Sequence, residues 1–358
     1  MKRITLLLFC ICLILLSSCA APAEEKEAGT VSIWYIAGDA MEQPLKARCR
    51  QIQAENDNII IELYPFESMA RLSEMLQGKR PDLLLCSHEL AFSLDEQGML
   101  KSLDMSDLNY RPELVSDYPG FGKSFFPIGA SVELLCSREE LPETALSSFE
   151  ALCSELEENE KLMTVDSLAR LMSNALIQRE GKLSAERSEN AANPDYVYIH
   201  NLLAEKALQG TLSVFDQGGK ELITQGRVDA AIISSAGLTD LPENVKVTPV
   251  PAMKGGSKSI MADMRGFAYL GNTRNNSRAT AFVLKKLLAD GEAKELALEC
   301  GLVSAQMWQA GDFSSGVERA LYEIYSGWEM ILPSPVSPYV TARQQLEEDL
   351  SAAFEFLQ

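Results

Sequence analysis

The sequence predicts an α/β protein with two domains. Its 358 residues exceed the size at which a single hydrophobic core usually divides. Near the amino terminus, apolar runs rich in strand formers alternate with amphipathic helical patterns, in the order strand, helix, strand, helix, strand. This alternation favours right-handed crossovers and a parallel sheet that helices cover on both faces.

The amino-terminal part contains three predicted strands, and a helix follows each of the first two. The strands cover residues 31–36, 59–64 and 81–86, and Pro65 is expected to end the second one. Apolar residues at helical spacing predict the two helices, through Met41, Leu45, Cys49 and Ile52 and then through Met69, Leu72 and Leu76.

A second group of elements begins after the turn at Pro119-Gly120. Extended segments are predicted over residues 125–136, 162–165, 229–233, 245–251 and 266–270. Helical patterns cover residues 149–156, 168–176, 196–209, 221–226, 279–288, 319–330 and 342–357. The polar stretch 181–194 is predicted to be a loop.

The amino terminus predicts export and lipid attachment. Lys2 and Arg3 precede an apolar run that is too short to cross a bilayer core of about 30 Å. Small residues before Cys19 resemble a bacterial lipobox, although they also close ordinary signal peptides. We therefore expect a signal peptide over 1–18, acyl chains on Cys19 (palmitate among them), a solvated tether over 19–29, and a location on the extracytoplasmic face of the cell membrane.

The composition argues against several classes of function. The formal net charge of -19 repels phosphate backbones, so we expect no nucleic-acid partner. The two histidines, His88 and His200, have no zinc-ligand or triad spacing around them, and no Walker loop or Gly-x-Gly-x-x-Gly motif occurs. We therefore predict no catalytic residues, no metal, no cofactor and no enzymatic activity.

Five cysteines remain once Cys10 and Cys12 leave with the signal peptide and Cys19 is lipidated. They are Cys49, Cys86, Cys136, Cys153 and Cys300. Because the number is odd and most of them lie inside apolar patterns, buried free thiols are favoured over a disulfide framework.

A series of short motifs along the chain resembles the family 1 extracellular solute-binding proteins, which are lipoproteins that deliver sugars and related solutes to ABC importers. The motifs include the opening strand with Trp34, the Pro-Asp-apolar step Gly78-Lys-Arg-Pro-Asp-Leu-Leu84, and the Gly-x-Leu-x-x-Leu segment that follows it. Further matches are residues 223–231, 247–251 and 279–288. The resemblance spans nearly the whole mature chain.

This resemblance implies a two-lobed periplasmic-binding-protein fold of type II, in which each lobe has a mainly parallel sheet flanked by helices. Lobe one would cover 30–126 plus 267–303, and lobe two would cover 127–266 plus 304–358. A ligand would bind between the lobes at the carboxyl ends of the strands, and closure would be a hinge motion. The implied partners are a small polar solute and the membrane subunits of an ABC permease, and the protein is expected to be a monomer.

Three candidate ligand-binding residues follow the first strand. The ring of Trp34 could stack on a sugar, and the alternative is packing in the core. Tyr35 points to the opposite face, where it could instead pack under a helix. Asp39 could accept hydrogen bonds from paired hydroxyls, or it could cap the next helix.

The other candidates follow later strands or occupy expected crossings. Glu67, Ser87 and His88 belong to lobe one, and Ser87 could instead be a helix cap. Lobe two is expected to supply Asp166, Ser234 and Trp308, and core burial is the alternative for Trp308. Arg265 could clamp an anionic group in a bidentate manner, or it could form a salt bridge.

The sequence favours a lipid-anchored solute-binding protein of an ABC importer, with a carbohydrate as the favoured solute. A sensory lipoprotein of the same fold, which reports ligand to a membrane kinase, is the first alternative. A lipid-anchored glycoside hydrolase is the second, and it would require two carboxylates about 5–10 Å apart. No motif in the sequence points to such a pair.

Overall fold

Two β-sheets flanked by helices form the framework of the chain. The structure, a computed structural model, describes residues 28–111, 120–179, 192–213, 218–238, 240–272, 276–289, 291–309, 311, 313–332 and 348. The predicted signal peptide, Cys19, most of the tether, most of the loop 181–194 and all but one residue of the predicted helix 342–357 lie outside these residues.

The strands and helices are numbered in chain order over the described residues. The strands are β1 (Gly29–Ile36), β2 (Ile59–Phe66), β3 (Leu83–Ser87), β4 (Phe125–Ser131), β5 (Glu133–Ser137), β6 (Met163–Val165), β7 (Leu212–Ser213), β8 (Ala230–Ser234), β9 (Lys246–Pro249), β10 (Ser259–Met261), β11 (Asp263–Tyr269), β12 (Val303–Ser304) and β13 (Glu329–Ile331). The helices are α1 (Glu42–Glu55), α2 (Met69–Gly78), α3 (His88–Glu96), α4 (Phe149–Glu158), α5 (Leu168–Gln178), α6 (Pro194–Leu208), α7 (Gly219–Thr224), α8 (Ser277–Leu288), α9 (Glu292–Glu299) and α10 (Gly316–Gly327).

The first sheet has the strand order β12-β4-β11-β3-β1-β2. Strand β1 pairs in parallel with both β2 and β3, whereas β11 pairs antiparallel with β3 and β4, and β12 pairs antiparallel with β4. Alternate side chains of β1 enter two different cores, with Val31, Ile33 and Tyr35 on one side and Trp34 on the other. Helices therefore cover both faces of this sheet, as the continuous apolar runs predict.

The second sheet has the strand order β7-β6-β8-β5-β9. Strand β6 pairs in parallel with β7 and β8, and β5 runs antiparallel to both β8 and β9. Both sheets are thus mixed. In the first sheet β11 and β12 run opposite to β1, β2 and β3, and in the second sheet β5 runs opposite to the other strands. The predicted α/β class with two helix-flanked sheets is confirmed.

Serine caps explain where many helices begin. The helices α2, α3, α4, α5 and α10 each follow a serine whose hydroxyl accepts the backbone N–H three residues later; these serines are Ser68, Ser87, Ser148, Ser167 and Ser315. Such a cap satisfies one of the free N–H groups at the helix start and stabilises the helix by about 1 kcal/mol.

The chain passes between the sheets within a few residues at two places. Val132 separates β4 of the first sheet from β5 of the second. Ala262 separates β11 of the first sheet from β10, which forms a separate two-stranded sheet with β13. The predicted lobe boundaries at 126/127 and 266/267 therefore fall inside β4 and β11, which both belong to the first sheet. A third passage runs from β12 towards α10, whose first residue, Gly316, approaches Val247 of β9.

Two expectations about individual elements are wrong. Pro65 does not end the second strand, because β2 continues to Phe66 and Pro65 is in register with Tyr35. A proline is tolerated there because β2 is an edge strand and one side of it needs no ladder hydrogen bonds. The predicted helix over 319–330 stops at Gly327, and Glu329–Ile331 instead pairs in parallel with β10.

Candidate functional site

The candidate site lies where the carboxyl ends of the parallel strands in the two sheets meet, and this region is called the cleft below. Strands β1, β2 and β3 end there in the first sheet, and β6 and β8 end there in the second. Ligands of open α/β sheets bind outside such strand ends. Of the predicted site residues, Glu67, His88 and Asp166 directly follow one of these strands, and Ser87 and Ser234 are the last residues of β3 and β8.

Arg265 and Asp39 form an ion pair at the first-sheet side of the cleft. The Nη2 of Arg265 donates to Oδ2 of Asp39, while Oδ1 of Asp39 accepts the backbone N–H of Met41 at 2.9 Å. Arg265 is opposite Ser87 in the pairing of β11 with β3, and its side chain remains 34% exposed. The salt bridge considered for Arg265 is therefore present, whereas Asp39 does not cap α1: the N-cap residue is Met41, whose N–H Asp39 accepts within the preceding turn.

Arg170 forms a charged cluster with the first residues of β5 and β11, the two strands that begin just after the chain passes between the sheets. Its Nε lies 3.2 Å from Oε1 of Glu133, the first residue of β5, and its Nη1 donates to Oδ2 of Asp263, the first residue of β11. Burial alone lowers the pKa of Arg170, but the carboxylates of Asp263, Glu133 and Glu89 outweigh it and raise that pKa. The guanidinium therefore stays charged in a largely buried place.

The sequence analysis did not identify this cluster. Glu133 is only 1% exposed, in a strand that otherwise contains apolar residues and a serine, and Arg170 is separated from Asp263 by 93 positions. Glu133, a charged residue among the apolar residues of the predicted extended segment 125–136, is a signal for it, because a carboxylate buried in such a strand needs a partner.

Asp166 and Ser167 connect β6 to α5 on the second-sheet side of the cleft. The Oδ1 of Asp166 accepts the backbone N–H of Gly219 at 2.7 Å, at the start of α7. Although the residue is exposed, desolvation by its surroundings raises the pKa of the Asp166 carboxyl. Ser167 accepts the N–H of Arg170 at 3.2 Å, so α5 begins at the cleft.

Ser234 is the last residue of β8 and is half-buried opposite Glu133 in the pairing of β5 with β8. Its neighbour Ser235 is fully buried and holds the first passage between the sheets. The N–H of Ser235 donates to the carbonyl of Val132 at 2.7 Å, and its Oγ accepts the N–H of Val132 at 3.1 Å.

The residues that follow β2 and β3 differ in exposure. Glu67 is exposed, Ser87 caps α3 by accepting the N–H of Leu90 at 3.4 Å, and His88 is buried with 2% of its surface exposed. Glu89 is half-buried and close enough to Arg170 to favour its charge, across the cleft from the second sheet.

The three aromatic candidates all pack inside cores. Trp34 and Trp308 are each 6% exposed, and Tyr35 is 0% exposed beside α1. The ring of Trp34 lies 4.9 Å from that of Phe66, and Trp308 lies 5.2 Å from Tyr322 with an edge-on geometry. In this structure each of these rings therefore has the packing role that was its alternative.

The described part of the chain offers neither a metal cluster nor a membrane span. Within those residues, no group of three or more His, Cys, Asp or Glu side chains is arranged to hold a metal ion. None of the described helices is both long and apolar enough to cross a membrane.

The fold closely matches solved structures, although no family model and no curated protein sequence matches the chain. An ABC substrate-binding protein from Listeria monocytogenes in complex with cycloalternan has a TM-score of 0.72 at 12% identity, with 92% of this chain and 95% of that chain covered. A family 1 extracellular solute-binding protein from Alicyclobacillus acidocaldarius has a TM-score of 0.62 at 16% identity, with 94% and 100% covered.

A third similar structure is the spermidine/putrescine ABC transporter substrate-binding protein PotD from Streptococcus pneumoniae. Its TM-score is 0.64 at 15% identity, with 92% of this chain and 99% of that chain covered. At such identities the likeness establishes the fold. The chain thus has the two-lobed fold of the extracellular solute-binding proteins, and the predicted resemblance is confirmed at that level.

Proposed function

We propose that this chain is a solute-binding protein of an ABC importer, which captures a small polar solute in the cleft when its two lobes close. The observation that supports this most strongly is the match over more than nine tenths of the chain to binding proteins of ABC transporters. The protein would perform no covalent chemistry, and its partners would be the solute and the membrane subunits of a permease.

A carbohydrate is the favoured solute, and polar contacts would bind it. Glu67, Ser87, Asp166, Ser234 and Arg265 are at least partly exposed at the cleft, and carboxylates, hydroxyls and a guanidinium pair well with sugar hydroxyls. Trp34, Tyr35, His88 and Trp308 would support this surface from below rather than touch the solute. A cycloalternan-binding protein among the similar structures supports this choice.

An amine is the competing solute class. The cleft carries Glu67, Glu89 and Asp166, while Arg265 is paired with Asp39 and Arg170 is paired with Glu133 and Asp263. Such an excess of acidic groups favours a cationic solute, and the structure of PotD shows that the fold also occurs in a protein named for spermidine and putrescine.

The protein would be held on the extracytoplasmic face of the membrane by acyl chains on Cys19 and would act as a monomer. The lipobox-like residues before Cys19 support the anchor. Mass spectrometry of the protein isolated from membranes would test it, because a processed amino terminus at Cys19 with its acyl mass is expected. An unprocessed or unacylated terminus would contradict the anchor.

A thermal-shift screen of the purified full-length protein in mild detergent tests the function. Sugars, oligosaccharides, spermidine, putrescine and amino acids would be tested as separate solutes. A solute at about a hundredfold over its Kd adds about 2.7 kcal/mol of stability and should raise Tm by a few degrees. A hit among sugars supports the carbohydrate, a hit among amines selects the cationic class, and no hit in any class contradicts solute capture.

A further inference from the structure

Helix α5 is fastened to β10 by two buried amide side chains. The Oδ1 of Asn174 accepts the N–H of Met261 at 2.6 Å, and the Nε2 of Gln178 donates to the carbonyl of Ser259 at 3.1 Å. Both amides are largely buried, at 6% and 4% exposure. These bonds hold the strand that leads into the second passage between the sheets.

Arg170 continues this series one helical turn earlier, where its Nη1 bonds Asp263. Positions 170, 174 and 178 rise by about 6 Å per four-residue step along a helix, and positions 263, 261 and 259 advance by about 6.6 Å per two-residue step along a strand. Because the two repeats nearly coincide, one polar stripe of α5 follows this segment from Ser259 to Asp263, the first residue of β11.

The same arginine also reaches the first passage. Its Nε lies 3.2 Å from Glu133, two positions after Ser131, which is the residue opposite Asp263 in the pairing of β4 with β11. Arg170 therefore contacts both chain segments beside the first sheet, through a hydrogen bond to Asp263 and an ion pair with Glu133. Glu89, on α3 of the first lobe, adds a third carboxylate close to the guanidinium.

We propose that Arg170 is a positioning residue for closure of the two lobes, because it ties both passages to the helix that begins at the cleft. The proposal rests on the proposed function, since closure matters for a protein that captures a solute. In this arrangement the segment before Asp263 moves with α5 and the second lobe.

On the other side of the proposed hinge, the first sheet holds β11 in place. From Arg265 onward, β11 is in register with β3, and its pairing with β4 shifts register between Arg265 and Gly266. A Cβ at Gly266 would lie 2.4 Å from the carbonyl oxygen of Phe126, so this point is closely packed. Because Asp263, Met264 and Arg265 also pair with β4, the first sheet holds β11 from its first residue, and bending would be centred on Ala262 just before it.

The experiment measures the distance between the lobes in the full-length protein without added solute. Spin labels would be attached at Glu74→Cys on α2 and Leu208→Cys on α6, because both side chains are exposed. The native cysteines of the described residues are buried, and burial raises the pKa of each of those thiols to about 12, so they should not compete for the label.

The test variant is Arg170→Met combined with Glu133→Gln, because Arg170→Met alone would leave the buried Glu133 carboxylate without its cation. Arg170→Lys keeps the charge. Arg179→Met is the matched control, since Arg179 caps the other end of α5 and is paired at 2.6 Å with Asp195 of the same lobe.

Pulsed electron spin resonance should show that the double variant shifts or broadens the distance distribution by more than about 2 Å, whereas Arg170→Lys and Arg179→Met keep that of the parent. An unchanged distribution in a folded double variant would overturn the proposal. An equal change in Arg179→Met would also overturn it. Because no solute is added, this result is independent of the solute screen, whose failure would count against the proposed function alone.

Discussion

Arg170 on α5 donates a charged hydrogen bond to Asp263, the first residue of β11, across 93 positions of sequence. One partner belongs to a helix that is capped at the cleft by Ser167, and the other begins a strand of the first sheet. The contact therefore joins the place where a solute would bind to the place where the chain changes lobes.

Gly301 is predicted to be irreplaceable where the two lobes meet. Its φ is +67°, and a Cβ there would lie 1.9 Å from the carbonyl oxygen of Ser235. Gly301→Ala should therefore lower the free energy of unfolding by at least about 3 kcal/mol, measured by urea denaturation.

Gly98→Ala is a control that separates the backbone strain of a positive φ from the steric clash expected at Gly301. Gly98 has nearly the same φ, +66°, but a Cβ added there would meet no heavy atom within 4 Å. The variant should lose only the left-handed penalty of about 1–2 kcal/mol. Equal losses for the two variants would show that the approach of Ser235 to Gly301 costs nothing.

Asp82 is predicted to be a main polar support of the first sheet. Its carboxylate is 1% exposed and accepts the N–H and the Oγ–H of Ser32, each at 2.8 Å, and Nδ2 of Asn272 at 3.2 Å. Asp82→Ala should cost about 3 kcal/mol of unfolding free energy, because buried donors lose their acceptor. Asp57→Ala, at an exposed turn, should stay within about 0.5 kcal/mol, and a similar loss there would contradict a specific role for Asp82.

Trp34 is predicted to affect stability and Asp166 to affect binding. Trp34→Leu should lower the unfolding free energy by about 2 kcal/mol or more while changing the affinity for a solute found in the screen by less than about threefold. Asp166→Ala should weaken that affinity at least about tenfold, a loss of about 1.4 kcal/mol, as measured by calorimetric titration. The reverse pattern would return Trp34 to the ligand-binding surface.

The five thiols of the described residues should be inert in the folded protein. Burial raises the pKa of Cys49, Cys86, Cys136, Cys153 and Cys300 to about 12, so at pH 8 their thiolate fraction is about three orders of magnitude below that of a free cysteine. Labelling by a thiol reagent should be slow, should rise with pH, and should become rapid in urea. Fast labelling at pH 8 without urea would contradict this burial.

The fold could be predicted because its signals are local. Apolar runs and helical spacing identify β1, α1, β3 and α5 within a few residues. The prediction of buried free cysteines is confirmed for the same reason, since most of them lie in apolar patterns. Pro65 misled the prediction because tolerance of a proline depends on whether the strand is at an edge, which is a property of the whole sheet.

The candidate site could be predicted only in part because its contacts are distant in sequence. The positions of the predicted strand ends identify Asp39, Ser87 and Asp166 as candidates. They do not show that Asp39 pairs with Arg265 or that Ser87 caps α3. The alternation along β1 places Trp34 on one face of the strand, but it does not show whether that face meets a ligand or the core. The cluster around Arg170 depends on three segments that meet only in the folded chain.

Small-angle X-ray scattering of the full-length protein, with and without a solute that raises its Tm, tests the central claim most directly. Capture between the lobes predicts that the solute lowers the radius of gyration, because the hinge closes over it. Binding that raises Tm and leaves the radius of gyration unchanged would contradict capture by closure.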